Sequence, residues 1–327
     1  MVVGAGAWGT ALASVFARGG CQTLLWDADD TLINTLATTR RHPRLNTDQP
    51  LDELVEPVTD FSDAGELMCV VLVVPFQALR AAATTLSTSR LNYSAIACAS
   101  KGLELETLAM AHEIIADANG TNMPFAQLSG PNFALEVMRG HPAAITVAAT
   151  TTELGHELAE AMHSGRFRAY ITDDVVGVEV GGALKNVIAI AAGIADGLAL
   201  GSNTRAALIT RGLAEMARFG TARGGRLETF MGLSGMGDLV LTCTDDQSRN
   251  RQFGLALAKL GNIDKAAASV GALVEGAATA RALAQKFDAI GVDLPIAMEV
   301  AAVLEGKRTP SAAVENLLAR DPKNEIS

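Results

Sequence analysis

The chain has 327 residues with 36 acidic against 26 basic side chains, a formal net charge of −10 at pH 7. That balance works against nucleic acid and anionic membrane surfaces as partners, so an anionic ligand has to be caught locally. Length favours two domains, apolar residues at 49% against aromatics at 4% imply a core of Ala, Val, Leu and Ile, and four cysteines without a CxxC pair argue against a metal or disulfide framework.

The chain opens on "MVVGAGAWGTALA", with no basic region leading into an apolar signal core, which points to the cytoplasm. Inside it Gly4, Gly6 and Gly9 spell GxGxxG. In a strand-turn-helix unit the first glycine permits the turn, the second lets backbone approach a pyrophosphate and the third closes the helix on the sheet. The pyrophosphate then lies on the helix N-terminus. Only Met1, Val2 and Val3 precede Gly4, so the first strand is expected to be short. "TLLWD" supplies a second strand ending in Asp27, about twenty residues on, where such a unit places a ribose-binding acid. A solvated turn former is the competing reading of Asp27 and Asp29. The polar stretch "RRHPRLNTDQPLDELVEP" is expected to be a surface excursion.

Further apolar runs, "MCVVLVV", "SAIACAS", "FAQLS" and "AAITVAA", alternate with helical segments up to about Ala149 and predict a parallel sheet covered on both faces. Ligands of such sheets bind beyond the carboxyl ends of the strands. Lys101, after "SAIACAS", therefore falls at the nicotinamide end of the cofactor, or is a loop lysine in solvent. After "FAQLS" come Gly130, Pro131 and Asn132, the last read as a helix cap.

Beyond Asp173 the pattern becomes long Ala- and Leu-rich helices. In "GVEVGGALKNVIAIAAGIADG", Lys185 and Asn186 interrupt an apolar helix whose run from Val187 to Ala195 is too short to span a bilayer. Left unpaired they would cost several kcal/mol, so they are expected to line a polar cleft, with Gly181 and Gly182 opening the helix to a ligand. Burial moves a lysine towards acid-base chemistry near neutrality. The alternative is a structural pair with Glu179 or Asp238. Asp238 and Thr242, four residues apart, share a helix face and can orient Lys185. In "SRN", Arg249 offers a planar fork for phosphate, with Ser248 and Asn250 as further donors, unless the segment is a helix cap followed by surface arginines.

These segments in this order, from "GAGAWGTALA" through "ASKGLE", "LSGPNFA", "GVEVGGALKNVIAIAAGIADGL", "FMGLSGMGDLVLTCT" and "SRNRQFG" to "VEGAATARAL", resemble bacterial NAD(P)-dependent glycerol-3-phosphate dehydrogenases over nearly the whole chain. The resemblance implies an α/β fold, with a Rossmann-type doubly wound sheet domain in residues 1–173 and an all-helical substrate domain in residues 174–327. It implies reversible reduction of dihydroxyacetone phosphate to sn-glycerol 3-phosphate with NAD(H) or NADP(H), a supply step for phospholipids, in a cytoplasmic homodimer without metal, nucleic acid or a membrane span.

Carried over by motif, Lys185 is the proton donor or acceptor, Lys101 touches substrate and cofactor, and Asp238 positions the lysine. Gly130, Asn132, Asn186, Thr242, Ser248, Arg249 and Asn250 fall on the substrate side. Ala7, Trp8, Ala134, Arg249, Leu273 and Glu275 join the glycines and Asp27 on the cofactor side. Four positions depart from the family pattern: Ala7 replaces a serine, Asn132 a serine or threonine, and Asp27-Ala28 a Gly-Arg pair in which the arginine serves NADPH. The departures at 27 and 28 imply a weakened preference for NADPH. A related β-hydroxyacid dehydrogenase, which needs no phosphate clamp, and a non-catalytic dinucleotide sensor are the competing readings.

Overall fold

The computed structural model describes residues 1–62, 64–271, 273–286 and 290–320; residues 321–327, the end of the expected helical domain, lie outside the described residues. Strands β1 (Val2–Val3), β2 (Thr23–Trp26), β3 (Val55–Pro57), β4 (Glu66–Leu72), β5 (Asn92–Cys98), β6 (Phe125–Ser129), β7 (Ala143–Ala149) and β8 (Phe167–Thr172) form one sheet in the order β3-β2-β1-β4-β5-β6-β7-β8. The reversal of strand order at β1 and β4 makes the crevice above their carboxyl ends the binding place of a doubly wound sheet. Two residues suffice for β1 because both its edges are paired: Val3 is in register with Trp26 on one side and Leu72 on the other.

The expectation of a wholly parallel sheet is corrected at one seam. β7 runs antiparallel to β6, and β8 follows β7 in parallel. Apolar composition cannot distinguish the two directions once both faces of a strand are covered, as they are in β7. A second correction concerns the stretch read as a surface excursion. It follows helix α2 (Asp30–Thr39), buries His42, Leu51 and Val55, and ends in β3.

Two apolar layers cover the sheet. One joins helix α1 (Ala7–Arg18) to residues such as Leu25, Val71 and Val147; the other joins helices α3 (Leu79–Thr88) and α4 (Ala111–Asn119) to Val3, Leu72 and Ile96. After Thr172 every regular element among the described residues is helical. Helix α7 (Val175–Gly197) starts where Asp174 accepts the N–H of Gly177 at 3.0 Å, a cap that satisfies one of the free donors of the first turn.

By length and composition α7 could cross a bilayer, so the short apolar run does not exclude that; the structure shows instead that 94% of its most apolar window is buried. Helix α8 (Gly201–Ala222), α10 (Asp238–Thr244), α11 (Arg249–Leu260) and α13 (Glu275–Gln285) pack around it. The α7–α11 crossing depends on two glycines, because a Cβ on Gly193 would stand 2.0 Å from the carbonyl oxygen of Arg251 and one on Gly254 2.1 Å from that of Ile190.

Candidate active site

The glycine loop divides its labour by position. Gly4 has φ +107, and a Cβ there would meet the carbonyl oxygen of Val73 at 2.4 Å; a Cβ on Gly9 would stand 1.8 Å from the carbonyl oxygen of Gly4. Gly6 is exposed, and a Cβ on it would meet nothing within 4 Å. Two glycines thus close the turn, while the third leaves open space at the N-terminus of α1, where an anionic pyrophosphate finds free N–H groups. Ala7 and Trp8 form the first turn of that helix and are half-buried. Asp27 faces the same loop: its Oδ2 accepts the N–H of Ala5 at 2.6 Å and its Oδ1 the N–H of Asp29 at 3.0 Å. Asp29 in turn caps α2.

On the other side of the crevice lies a buried charge cluster. Asp238 is 1% exposed and takes Lys185 Nζ on Oδ1 at 2.5 Å and Lys101 Nζ on Oδ2 at 2.6 Å. Lys185 also donates to Thr242 Oγ1 at 2.9 Å, and Thr242, one turn along α10, donates to the Asp238 carbonyl oxygen at 2.6 Å. Lys101 reaches the carbonyl oxygen of Gly130 at 3.4 Å, which ties the loop after β5 to the loop after β6. Gly182 faces this group, since a Cβ on it would stand 3.2 Å from the stem of Lys101 and 3.3 Å from Ser129 Oγ.

Two ammonium groups share one carboxylate here. Burial, opposed by the Asp238 charge and reinforced by that of Lys101, brings Lys185 down to about 8. Burial pushes the Asp238 carboxyl upward, but its two lysine partners outweigh that and hold it below the usual carboxylate range. Of the two acids considered as partners of Lys185, Asp238 is therefore the one. Glu179 is buried elsewhere on α7 and accepts from the N–H of His112 at 2.8 Å, with the ring Nδ1 at 2.5 Å.

The "SRN" segment begins α11. Ser248 caps it, accepting the N–H of Arg251 at 3.3 Å, and Arg249 is exposed on the first turn with its charge close enough to act on Glu275. Asn250 is buried and committed: it donates to Asn186 Oδ1 at 2.9 Å and accepts the N–H of Gly276 at 3.0 Å, so it locks α7, α11 and α13 together. Glu275, at the start of α13, accepts the N–H of Phe76 at 3.2 Å across the crevice, and burial raises its carboxyl above the ordinary range. Leu273 is exposed beside it, and Ala134 opens the short helix α5 (Ala134–Met138). Asn132 does not cap that helix, which has Phe133 at its cap position; its Nδ2 donates to the Ala144 carbonyl oxygen at 2.8 Å.

Two family models match these two halves of the chain: the N-terminus of NAD-dependent glycerol-3-phosphate dehydrogenase over residues 1–155 and the C-terminus of the same enzyme over residues 174–315. A glycerol-3-phosphate dehydrogenase (NAD(P)+) of Thioalkalivibrio sulfidiphilus is 49% identical over 99% of this chain and 98% of its own. The chain belongs to the NAD-dependent glycerol-3-phosphate dehydrogenase family. A relative of the same name from Nitrosococcus oceani is 47% identical over all of this chain and 95% of its own. The crystal structure of glycerol-3-phosphate dehydrogenase from Coxiella burnetii superposes with a TM-score of 0.91 at 39% identity, covering 98% of both chains.

As a glycerol-3-phosphate dehydrogenase, the protein is an oxidoreductase that works with NAD(H) or NADP(H). Both the β-hydroxyacid dehydrogenase reading and the sensor reading give way to that assignment. The open space over Gly6 fits a dinucleotide phosphate. Three buried polar atoms on and just after β6, Gln127 Oε1, Ser129 Oγ and Asn132 Oδ1, have no hydrogen-bond partner among the described residues. The reading from sequence picked out Asn132 and missed Gln127 and Ser129, although a polar pair at alternate positions of an otherwise apolar strand was a usable signal. It also missed His42, whose Nε2 faces the Ala5 carbonyl oxygen of the glycine loop at 3.1 Å and which lies in a stretch without periodicity.

Proposed function

We propose that Lys185 is the general acid and base in the reversible reduction of dihydroxyacetone phosphate to sn-glycerol 3-phosphate. The observation that carries this is the Lys185–Asp238–Lys101 cluster, in which the buried ammonium of Lys185 and the half-buried one of Lys101 share one carboxylate at the mouth of the crevice. A dinucleotide held on the glycine loop of Gly4, Gly6 and Gly9 would, in its reduced form, supply the hydride to C2 and leave as the oxidised form. Lys185 Nζ gives its proton to the oxygen on C2, so the ketone becomes an alcohol and the lysine is left neutral; in the opposite direction the neutral amine takes that proton back. Lys101, held by Asp238 and the Gly130 carbonyl, adds positive charge beside the developing alkoxide, where exclusion of water makes it count for more than in solvent.

Arg249 takes the substrate phosphate in two parallel hydrogen bonds, and binding energy at that remote group serves to align the carbonyl. Ser248 and Asn250 act differently. Their side chains are engaged in the cap and in the Asn186 contact, so they present the α11 N-terminus and Arg249 rather than grip phosphate themselves. Gly130 and Asn132 border the substrate, Asn132 with its free Oδ1.

On the cofactor side we assign Gly4, Gly6, Ala7, Trp8 and Gly9 to the pyrophosphate turn, Asp27 to the adenosine ribose, and Ala134, Leu273 and Glu275 to the neighbourhood of the nicotinamide. Asp27 repels a 2′-phosphate and Ala28 offers no cation for one, so NADH is accepted at least as well as NADPH. The division falls at residues 173 and 174, with a dinucleotide domain before and a substrate domain after. The protein is a cytoplasmic homodimer feeding glycerophospholipid synthesis.

Arg249→Ala tests the substrate assignment. KM for dihydroxyacetone phosphate is expected to rise by about a hundredfold, in line with the loss of a charge-assisted pair, with little change for unphosphorylated dihydroxyacetone. Equal losses on both substrates would contradict the phosphate role.

A further inference from the structure

We infer that His42 is a positioning residue for the dinucleotide loop, holding the Ala5 peptide in its binding orientation while the ring is neutral. The proposal rests on the reading of the glycine loop as the cofactor site. Ala5 stands between Gly4 and Gly6, and its peptide orientation fixes where the N–H groups around Gly6 point. Both ends of that residue are gripped from outside the loop. Its N–H goes to Asp27 Oδ2 at 2.6 Å, while its carbonyl oxygen accepts from Thr10 Oγ1 at 3.1 Å and faces His42 Nε2 at 3.1 Å.

The ring has only one tautomer that satisfies its surroundings. The N–H of Arg44 donates to Nδ1 at 3.1 Å, so the ring proton resides on Nε2 and is donated to the Ala5 carbonyl. A second proton would sit on Nδ1 and face the Arg44 N–H, donor against donor. His42 is 4% exposed. Burial lowers its proton affinity below the ordinary histidine value; the charge of Arg44 acts in the same sense, and the Ala5 carbonyl and Asp27 charge oppose it. Those are the charged groups that face the ring: Arg44 from its own segment and Asp27 from the end of β2.

The segment that carries His42 is itself anchored. Leu51 N–H donates to the Arg40 carbonyl at 2.7 Å, the Arg40 guanidinium reaches the carbonyls of Asp52 and Val55 at 2.5 and 2.8 Å, and Arg139 donates to the Asn46 carbonyl at 2.8 Å. A loop held in place before the cofactor arrives loses less entropy on binding. The stretch without periodicity thus acts as a brace reaching from β3 to the glycine loop.

The test compares the wild type with His42→Ala and with His42→Gln, whose amide keeps a donor near the Nε2 position but does not titrate. Amide hydrogen exchange of the apo protein over residues 4–10 and NADH affinity by fluorescence titration are measured at pH 8, with circular dichroism as the check of fold. Expected for His42→Ala are faster exchange in the loop and a Kd for NADH raised about tenfold, the loss of one hydrogen bond. His42→Gln is expected to restore both. Loop exchange in His42→Ala equal to the wild type would overturn the proposal, as would a His42→Gln protein whose loop exchange and NADH affinity stay at the His42→Ala level. Failure of the wild type to bind NADH would instead refute the cofactor reading of the loop, while the apo exchange data still decide the role of His42.

Discussion

At the residue scale the proposed chemistry turns on one proton at Lys185. With Lys185 brought down to about 8 by burial and by Lys101, ketone reduction needs its charged form and falls as pH rises through that region. Alcohol oxidation needs the neutral amine and rises there. Initial rates in both directions from pH 6 to pH 10 check the crossing; parallel profiles would contradict it. Asp238→Asn removes the charge that keeps Lys185 protonated, so the decline in reduction is expected to move to lower pH and kcat to drop by about 10² to 10⁴, the range for loss of acid-base function.

Much of this cluster was legible in the sequence. A lysine inside an apolar helix must be paired, and a carboxylate and hydroxyl four residues apart share a face. What the sequence could not reveal is how the rest of the polar inventory pairs over long range. Asn186 and Asn250 meet each other across two helices, Glu179 meets His112 rather than a lysine, and His42 reaches back 37 residues to Ala5. Such pairings are products of the tertiary fold, not of local spacing.

At the scale of elements, α7 is the beam on which Lys185 and Asn186 are mounted, and its close crossing with α11 sets where both stand relative to Arg249. Gly254→Val would push β-branched bulk against the Ile190 carbonyl, for which a Cβ alone is already too near. A loss of about 1 to 3 kcal/mol is expected, the usual cost of overpacking, seen as a lower denaturation midpoint. A fall in kcat/KM should accompany it, because the crossing also places the site; an unchanged midpoint would show that the helices separate without cost.

Strands β6 and β7 were legible to the residue because continuous apolar runs ended at turn residues. β3 and β8 were not. β3 is three residues ending in Pro57, within a polar stretch. In β8 Arg168, Tyr170 and Ile171 are exposed at the sheet edge, so no apolar run marks it.

For the whole molecule, an overall charge of −10 leaves attraction of an anionic substrate to the local cations Lys101, Lys185 and Arg249. The crevice is bridged by the Lys101–Asp238 pair and by Glu275 on the Phe76 N–H, so a cofactor seated there touches both the sheet and the helices. NADH at a hundred times its Kd is therefore expected to stabilise the fold by about 2.7 kcal/mol and to move the melting curve as a single transition; a shift confined to one of two separate transitions would show that the halves are not coupled. NADPH preferred over NADH by more than about tenfold in kcat/KM would contradict the weight placed on Asp27 and Ala28.

The central claim is that this chain reduces dihydroxyacetone phosphate with Lys185 as its proton donor, and the most direct test is NADH oxidation with that substrate by the wild type beside a folded Lys185→Met variant. The account predicts steady turnover by the wild type and a loss of at least about 10² in kcat for the variant. A Lys185→Met protein that turns over at a rate close to the wild type would contradict it.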